Sequence, residues 1–557
     1  MDSALIEELK SVIKGDVATD DATLMQHSHD ASLFEVKPQV VVYPKDAEDV
    51  QALIKFVDKH KKDHPELSLT GRSAGTDMAG GSINESIIVD FMKYFTHIGE
   101  IKGNIATVQP GVYYRDFEKE TLTKDLIFPS YPASRELCAI GGIVNNNSGG
   151  EKSLQYGKTE KYVKRTKVVL ADGNVYEFTP LSRQKLRSKL AKTDFEGKVY
   201  KHMYELIKKN YDLLQKAKPK VSKNSAGYFL WNVWDKEKDI FDLNKLWVGA
   251  QGTLGMLLEA DLELVPVQKH HEMEIIFLHD LSHLGEIIDA VLPLQPESFE
   301  SYDDNTLKLA LRFFPEFAKQ LGIPGLIQSG FAFAPAFIEM FVGKLPKLIM
   351  QIDFAGNDPV ELQQKIATLR EKLKPLHLVT KIAIEDQEKK YWLVRRESFN
   401  LLRNKIRDKH TAPFIDDFVI NPHDIAEVIP LITDVVKKHP EFIYTVAGHV
   451  GDGNFHIIPL VDINNPEVRK AIPEISDEVY KIISQHGGSI TGEHNDGLIR
   501  TPYLEGMYGK EIIKLFEKTK EIFDPHGIFN PRKKVHGDLK WTLNHIRTNW
   551  DVIKVPQ

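Results

Sequence analysis

The chain has 557 residues, 42% of them hydrophobic and 27% charged, with a net charge of −7. That length exceeds a single core, so two or three domains are expected, and the acidic balance excludes a general nucleic-acid binder, which needs a basic face. The single cysteine, Cys138, excludes an internal disulfide framework, a four-cysteine zinc site and a cysteine-ligated iron–sulfur cluster, and fits a reducing compartment.

In chain order, MDSALIEELKSVIKGDV reads as a polar amphipathic helix without the basic and apolar blocks of a signal peptide. QVVVYP is a β-branched strand, and DAEDVQALIKFVDKH a helix by its apolar spacing. SIIVDF and NIATVQPG read as strands and YYRDFEKETLTKDL as a helix. VKRTKVVLADGNVYEF is a hairpin turning at Asp172-Gly173, and GAQGTLGMLLEADLELVPV closes the region in strand character. The absence of a regular βαβ rhythm favours an α+β class. From His270 the theme of strand then helix appears twice, in HHEMEIIFL with LSHLGEIIDAVLPL, and in KLIMQIDFAGN with DPVELQQKIATLREKL. This predicts a separate α/β cap.

The expected division is an N-terminal helical segment (1–35), a first domain (36–267), a cap (268–480) and a C-terminal helical segment with a tail (481–557). Residues 323–350 are apolar but broken by proline and charge. They read as a pair of cap helices, with a membrane-docking surface as the alternative. No run of about 18 apolar residues marks a membrane span. The expected location is cytoplasmic, with peripheral membrane contact left open. WTLNHIRTNW in the tail is amphipathic and carries no assigned role.

Two glycine-dense segments stand out, GRSAGTDMAGGS (Gly71–Ser82) and AIGGIVNNNSGGEKSLQYGKT (Ala139–Thr159). Small side chains let backbone N–H groups converge on an anion, so the two loops together suit a pyrophosphate. QYGKT lacks the glycine spacing of a P-loop, and no GxGxxG follows a strand, so neither a nucleotide P-loop nor a nicotinamide site is expected.

TVAGHVGDGNFHIIP (Thr445–Pro459) sets His449 and His456 around an Asp-Gly reversal. Paired as a hairpin, its strands would place the two imidazoles opposite each other, within reach of one divalent ion. A carboxylate from SITGEHNDGLIR, Glu493, would complete a three-ligand site with an open position. Its neighbour His494 points to the other side in an extended loop, so of the two, one binds metal and the other faces the substrate.

Taken together, GRSAGTDMAGG, CAIGG…NNNSGG…QYG, VVLADG, GAQGTLG, HVGDGNFH, GEHNDG and FDPHGIFNP resemble the vanillyl-alcohol-oxidase-type flavoproteins. Within them, the chain resembles the FAD-dependent D-2-hydroxyacid dehydrogenases, from about residue 36 to Pro531. The resemblance implies a two-subdomain FAD-binding domain of the PCMH type at 36–267, an α/β substrate cap, and a C-terminal segment that returns to the first domain. It implies non-covalent FAD held by Arg72, Ser73, Ala74, Gly75, Thr76, Asp77, Ser134, Cys138, Gly141, Gly142, Asn147 and Gly157, with Asn530 approaching the flavin.

It further implies His449, His456 and Glu493 as ligands of a divalent metal, zinc first, with manganese or iron open. His494 is the implied base, Asn454 a substrate contact, and Arg395 of the Trp-x-x-Arg pattern the carboxylate anchor, with Arg396 as fallback. Gln251 stands where the family has Glu. The run TAPFIDDFVI has Ile415 and no lysine, which argues against a dicarboxylate substrate. The expected reaction is D-lactate to pyruvate, with electrons passed to a separate quinone, cytochrome or electron-transfer flavoprotein. Rival readings are glycolate or D-2-hydroxyglutarate oxidation, a synthase of the alkylglycerone-phosphate type, and a flavin-free scaffold with a structural metal.

Overall fold

The computed structural model describes residues 1–312, 345–383, 391, 392, 395 and 410–548. Arg396, residues 323–344 of the apolar stretch and the last nine residues lie outside them.

The first sheet runs in the order Asp16–Ala18, Val40–Tyr43, Ile87–Asp90, Leu69–Arg72. Its last three strands are parallel, and Asp16–Ala18 joins antiparallel. The N-terminal segment is therefore part of this sheet as well as helical. The helix Ala47–His60 covers the sheet because Val50, Leu53, Ile54 and Val57 recur at one face. Asp46 caps its first turn, accepting from the Asp49 N–H at 3.0 Å.

The second sheet is antiparallel, in the order Ile105–Val108, Met256–Glu263, Val163–Val169, Val175–Phe178. The expected hairpin at Asp172-Gly173 joins its last two strands, and Gly173 takes the positive φ (71°) that the turn demands. The C-terminal segment returns as expected. The Leu69 N–H donates to the Ile528 carbonyl, and the Asn530 N–H to the Leu69 carbonyl, both at 2.8 Å. The helix Pro466–Gln485 runs through the expected boundary at 480/481.

The cap is built on one antiparallel sheet whose central strands run His270–Leu278, Leu348–Gly356, Ser298–Asp303, Ile443–His449, Asn454–Val461. Alternation divides its two faces. Ile276, Leu278, Met350, Ile352 and Phe299 pack with residues of the helices Leu284–Val291, Pro359–Leu373 and Ile425–Lys437. The other face carries the row Ile275, Gln351, Glu300, His449, paired strand to strand. That row holds two of the side chains on which the site is built. Among the described residues, no helix is long and apolar enough to cross a membrane.

Candidate functional site

A single cavity of ≈1000 Å³ joins the glycine segments to the histidines. Residues 72–77, Ser134, Cys138, Gly141 and Gly142 line one wall, and Glu300, Trp392, Arg395, His449, His456, Glu493 and His494 the other.

The cofactor wall is shaped by backbone. Gly75 has φ +67°, and a Cβ there would strike the Arg72 guanidinium. Arg72 is held in turn by the His29 carbonyl at 2.8 Å, so the N-terminal segment contributes to this wall. The Asp77 Oδ1 accepts from the Asn146 amide at 3.0 Å. Burial pushes the Asp77 carboxyl up, and burial with the Asp77 charge lifts Asp30 to about 6. Burial also pushes the Cys138 thiol up to about 12, leaving it protonated and a poor nucleophile at neutral pH, which fits a non-covalent cofactor.

Several expected contacts fall elsewhere. The second glycine segment is partly helical, Ile140–Asn146, because Ile140, Ile143 and Val144 share a buried face. Asn147 is the left-handed cap of that helix (φ 50°), and its side chain bonds Glu160, accepting from the Glu160 N–H at 3.0 Å. Gly157 ends the short helix Ser153–Tyr156, and a Cβ there would meet Lys161. Neither lines the cavity. Asn530 ties three segments together, donating to the carbonyls of Gly81 (2.8 Å) and Gln251 (2.6 Å) and accepting from Thr70 (2.9 Å). It supports the wall from behind. Gln251 lines the cavity with φ 50°, and its Oε1 accepts from the Gly497 N–H at 2.9 Å.

The opposite wall is shaped by side-chain charge. His449 and His456 are not opposite each other. His449 pairs with Asn454, and His456 with Ala447, because residues 450–453 form the reversal and Gly453 takes φ +66°. The imidazoles are therefore diagonal neighbours on one face, with ring centroids 5.4 Å apart, and His456 lies 5.3 Å from His494.

Each of the three rings has its Nδ1 against a carboxylate: His449 at 2.5 Å from Glu300, His456 at 2.9 Å and His494 at 2.7 Å from the two oxygens of Asp416. For His449 and His456 the contact is a hydrogen bond, which leaves Nε2 as the ligating nitrogen, the arrangement that carboxylates impose on metal-binding histidines; the His494 contact is a close ion pair without hydrogen-bond geometry. Glu493 Oε1 lies 3.4 Å from His449 Nε2 and 2.6 Å from the buried Lys223 ammonium.

Donor atoms of His449, His456 and Glu493 all fall within 4.8 Å of one another. Sets containing Asp416 or Asp417 are equally compact, but those two carboxylates do not line the cavity, whereas His449, His456 and Glu493 all do. Asp417 accepts from the N–H groups of Gly492 (3.0 Å), Glu493 (2.9 Å) and His494 (2.7 Å), from the Thr491 hydroxyl (2.6 Å) and from Asn454 Nδ2 (3.1 Å). Of the compact sets, His449–His456–Glu493 is the one whose three members all face the cavity and could hold a divalent ion there. Asn454, expected at the substrate, is fully buried and braces Asp417.

Electrostatics follow the pairings. Burial opposes charge on Glu493, but Lys223 and His449 hold it well below the usual carboxylate range. Burial likewise opposes protonation of His449 and His494, yet Glu300 lifts the first and Asp416 with Asp417 the second, each to about 9. Arg395 Nη2 lies 3.3 Å from Glu300 Oε2, and its buried Nε has no hydrogen-bond partner among the described residues. Ile415 packs in the cap core.

Sequence reasoning missed Glu300, Asp416, Asp417, Lys223 and Lys158. Lys158, from the QYGKT segment, is buried, and its ammonium donates to Ser225 and to the Gly492 carbonyl, pinning the loop that carries Glu493. The one available signal was the adjacent acid pair inside the apolar run PFIDDFVI, since buried charge requires partners.

A family model described as FAD binding domain matches residues 38–179, and one described as FAD linked oxidases, C-terminal domain, matches residues 268–534. The chain is similar to the D-2-hydroxyglutarate dehydrogenase of Pseudomonas putida, at 27% identity over 94% of this chain and 51% of that protein. It thus spans about half the length of that relative and of three others of the same name. It is also similar to the D-lactate dehydrogenase of Anaerostipes hadrus, at 25% identity over 94% of each chain. The fold matches that of p-cresol methylhydroxylase with a TM-score of 0.67 over 96% of each chain, at 16% identity, a likeness of fold alone. The architecture is the vanillyl-alcohol-oxidase type that the motifs implied. With the FAD binding domain and the C-terminal domain of the family in that order along it, the chain belongs to the FAD-linked oxidases.

Proposed function

We propose that this protein is an FAD-dependent dehydrogenase that oxidises a D-2-hydroxy acid, D-lactate, to its 2-oxo acid and passes the electrons to a separate acceptor. The observation that carries the reading is the continuous cavity, with the cofactor wall on one side and the histidine–carboxylate cluster on the other. Bound FAD would supply the two-electron acceptor, and a divalent ion the charge that acidifies the substrate hydroxyl.

His449, His456 and Glu493 would hold the ion. Arg395, whose Nε has no hydrogen-bond partner among the described residues, suits the substrate carboxylate because a guanidinium offers parallel donors in a fixed plane. His494, whose Nδ1 lies 2.7 Å from Asp416 Oδ2, takes the hydroxyl proton at Nε2 while C2 is oxidised. A cation held by the neighbouring ligands opposes protonation of His494, offsetting the upward pull of its two aspartates.

The relatives' names divide between a dicarboxylate and a monocarboxylate. Among the described residues, Ala447, Thr445, Ile458 and Thr411 also line the cavity, all uncharged, which supports a small uncharged substituent such as the lactate methyl.

An anaerobic screen of flavin bleaching tests the reading. D-Lactate is expected to bleach the yellow protein, with D-2-hydroxyglutarate slower and the L-enantiomers inert. A yellow protein that no 2-hydroxy acid bleaches would overturn the dehydrogenase reading in favour of the synthase alternative, and a colourless protein would overturn both.

A further inference from the structure

We propose that Glu300 is a positioning residue that couples the metal-binding and acid-binding halves of the site. This rests on the function proposed above. Glu300 lies in the strand Ser298–Asp303, directly across from His449 on one side and Gln351 on the other. Its side chain is 1% exposed and lines the cavity.

One carboxylate meets two demands. Oε1 fixes His449 Nδ1 at 2.5 Å, which turns Nε2 toward the ligand position. Oε2 faces Arg395 Nη2 at 3.3 Å as an ion pair, and neither Oε2 nor the buried Arg395 Nε has a hydrogen-bond partner among the described residues. Glu300 sits between two hydrogen-bonded strands, so the spacing from metal ligand to carboxylate clamp is set by the sheet and transmitted through this one side chain.

The chemical consequence concerns substrate class. A 2-hydroxy acid presents its hydroxyl and carboxylate on adjacent carbons, and a fixed spacing between the groups that receive them selects that arrangement over a 3-hydroxy acid. The coupling also makes the two halves interdependent. Loss of the Glu300 charge should weaken the hold on metal, although Glu300 is not a ligand, and should weaken acid binding, although the acid does not touch it.

The test uses holoenzyme stripped of metal by chelator and titrated with Zn²⁺ against a competing chromophoric chelator. Relative to wild type, E300Q is expected to bind Zn²⁺ about 10–100-fold more weakly, as for other partners of metal-binding histidines. Its KM for D-lactate should rise about tenfold, as expected if Arg395, released from its ion pair with Glu300, loses one charge-assisted hydrogen bond to the acid. In a cycle of E300Q, R395K and the double variant, the KM effects should fall short of their product.

R395A should shift the Zn²⁺ affinity severalfold, because it frees Glu300 for His449 alone. Wild-type Zn²⁺ affinity and KM in E300Q would overturn the coupling. FAD content and Tm report folding, and if E300Q fails to fold, an unchanged Zn²⁺ affinity in folded R395A overturns it instead. H449A separates the two levels: if it keeps its metal the functional reading fails, whereas if it loses metal and E300Q does not, only the coupling fails.

Discussion

The two walls of the cavity are built by different means. The cofactor wall is made of small residues whose backbone geometry matters, such as Gly75 at φ +67° and Gly141, where a Cβ would meet Ser73 and Pro110. The histidine wall is made of side chains whose charges are fixed in pairs: Glu300 with His449, Asp416 with His456 and His494, and Lys223 with Glu493. A backbone wall tolerates conservative charge changes and fails on added bulk. A charge wall tolerates bulk changes behind it and fails when one partner is removed, because the other is left buried and uncompensated.

The sharpest break in this comparison is His449→Ala. Turnover should fall by roughly 10³-fold or more with loss of the metal, while FAD content is unchanged. Metal analysis and flavin absorbance on the same sample check it, and a variant that loses both cofactors would show that the walls are not independent.

His494→Gln should keep FAD and metal and lower kcat by about 10²–10⁴-fold, the range of one positioned proton acceptor. Normal turnover in that variant would remove His494 from the chemistry.

The converse break is Gly75→Ala, which forces a side chain into the left-handed region at a cost of about 1–2 kcal/mol. FAD affinity should fall about tenfold with Zn²⁺ affinity unchanged, as read by cofactor release and metal titration.

A smaller effect separates paired from unpaired buried acids. Asp303 is buried and accepts from the Thr306 N–H and hydroxyl without facing a cation among the described residues, and burial raises its carboxyl to about 6 from an ordinary 3.8. The folded state then binds more protons than the unfolded one, so the stability Asp303 contributes is complete below about pH 4 and is lost as pH rises through 6. Asp303→Asn should therefore raise stability by about 3 kcal/mol at pH 8 and leave it unchanged near pH 4. Denaturation at both pH values checks the sign. Asp416, held low by His494 and His456, should show the opposite dependence.

The contrast between the walls also explains what was legible in sequence. That the glycine segments and His449, His456 and Glu493 meet at one cavity could be read because they are carried by local motifs. Glu300 could not, because its partnership with His449 is set by strand register between positions far apart in the chain. The diagonal placement of the two histidines depended on how many residues the turn consumes, and Asp-Gly marks a reversal without fixing its length. Asn147, Gly157 and Asn530 lay in the right motifs but serve as a cap, a helix end and a brace. A motif shows that a segment approaches the cavity, not which of its side chains face inward.

The most direct test of the central claim, that the histidine wall holds a divalent ion beside the flavin, is anaerobic reduction by D-lactate before and after metal removal. The protein, stripped by chelator with FAD retained, should lose bleaching by D-lactate and regain it on adding Zn²⁺ or Mn²⁺. Bleaching at an unchanged rate in the stripped protein would contradict the account.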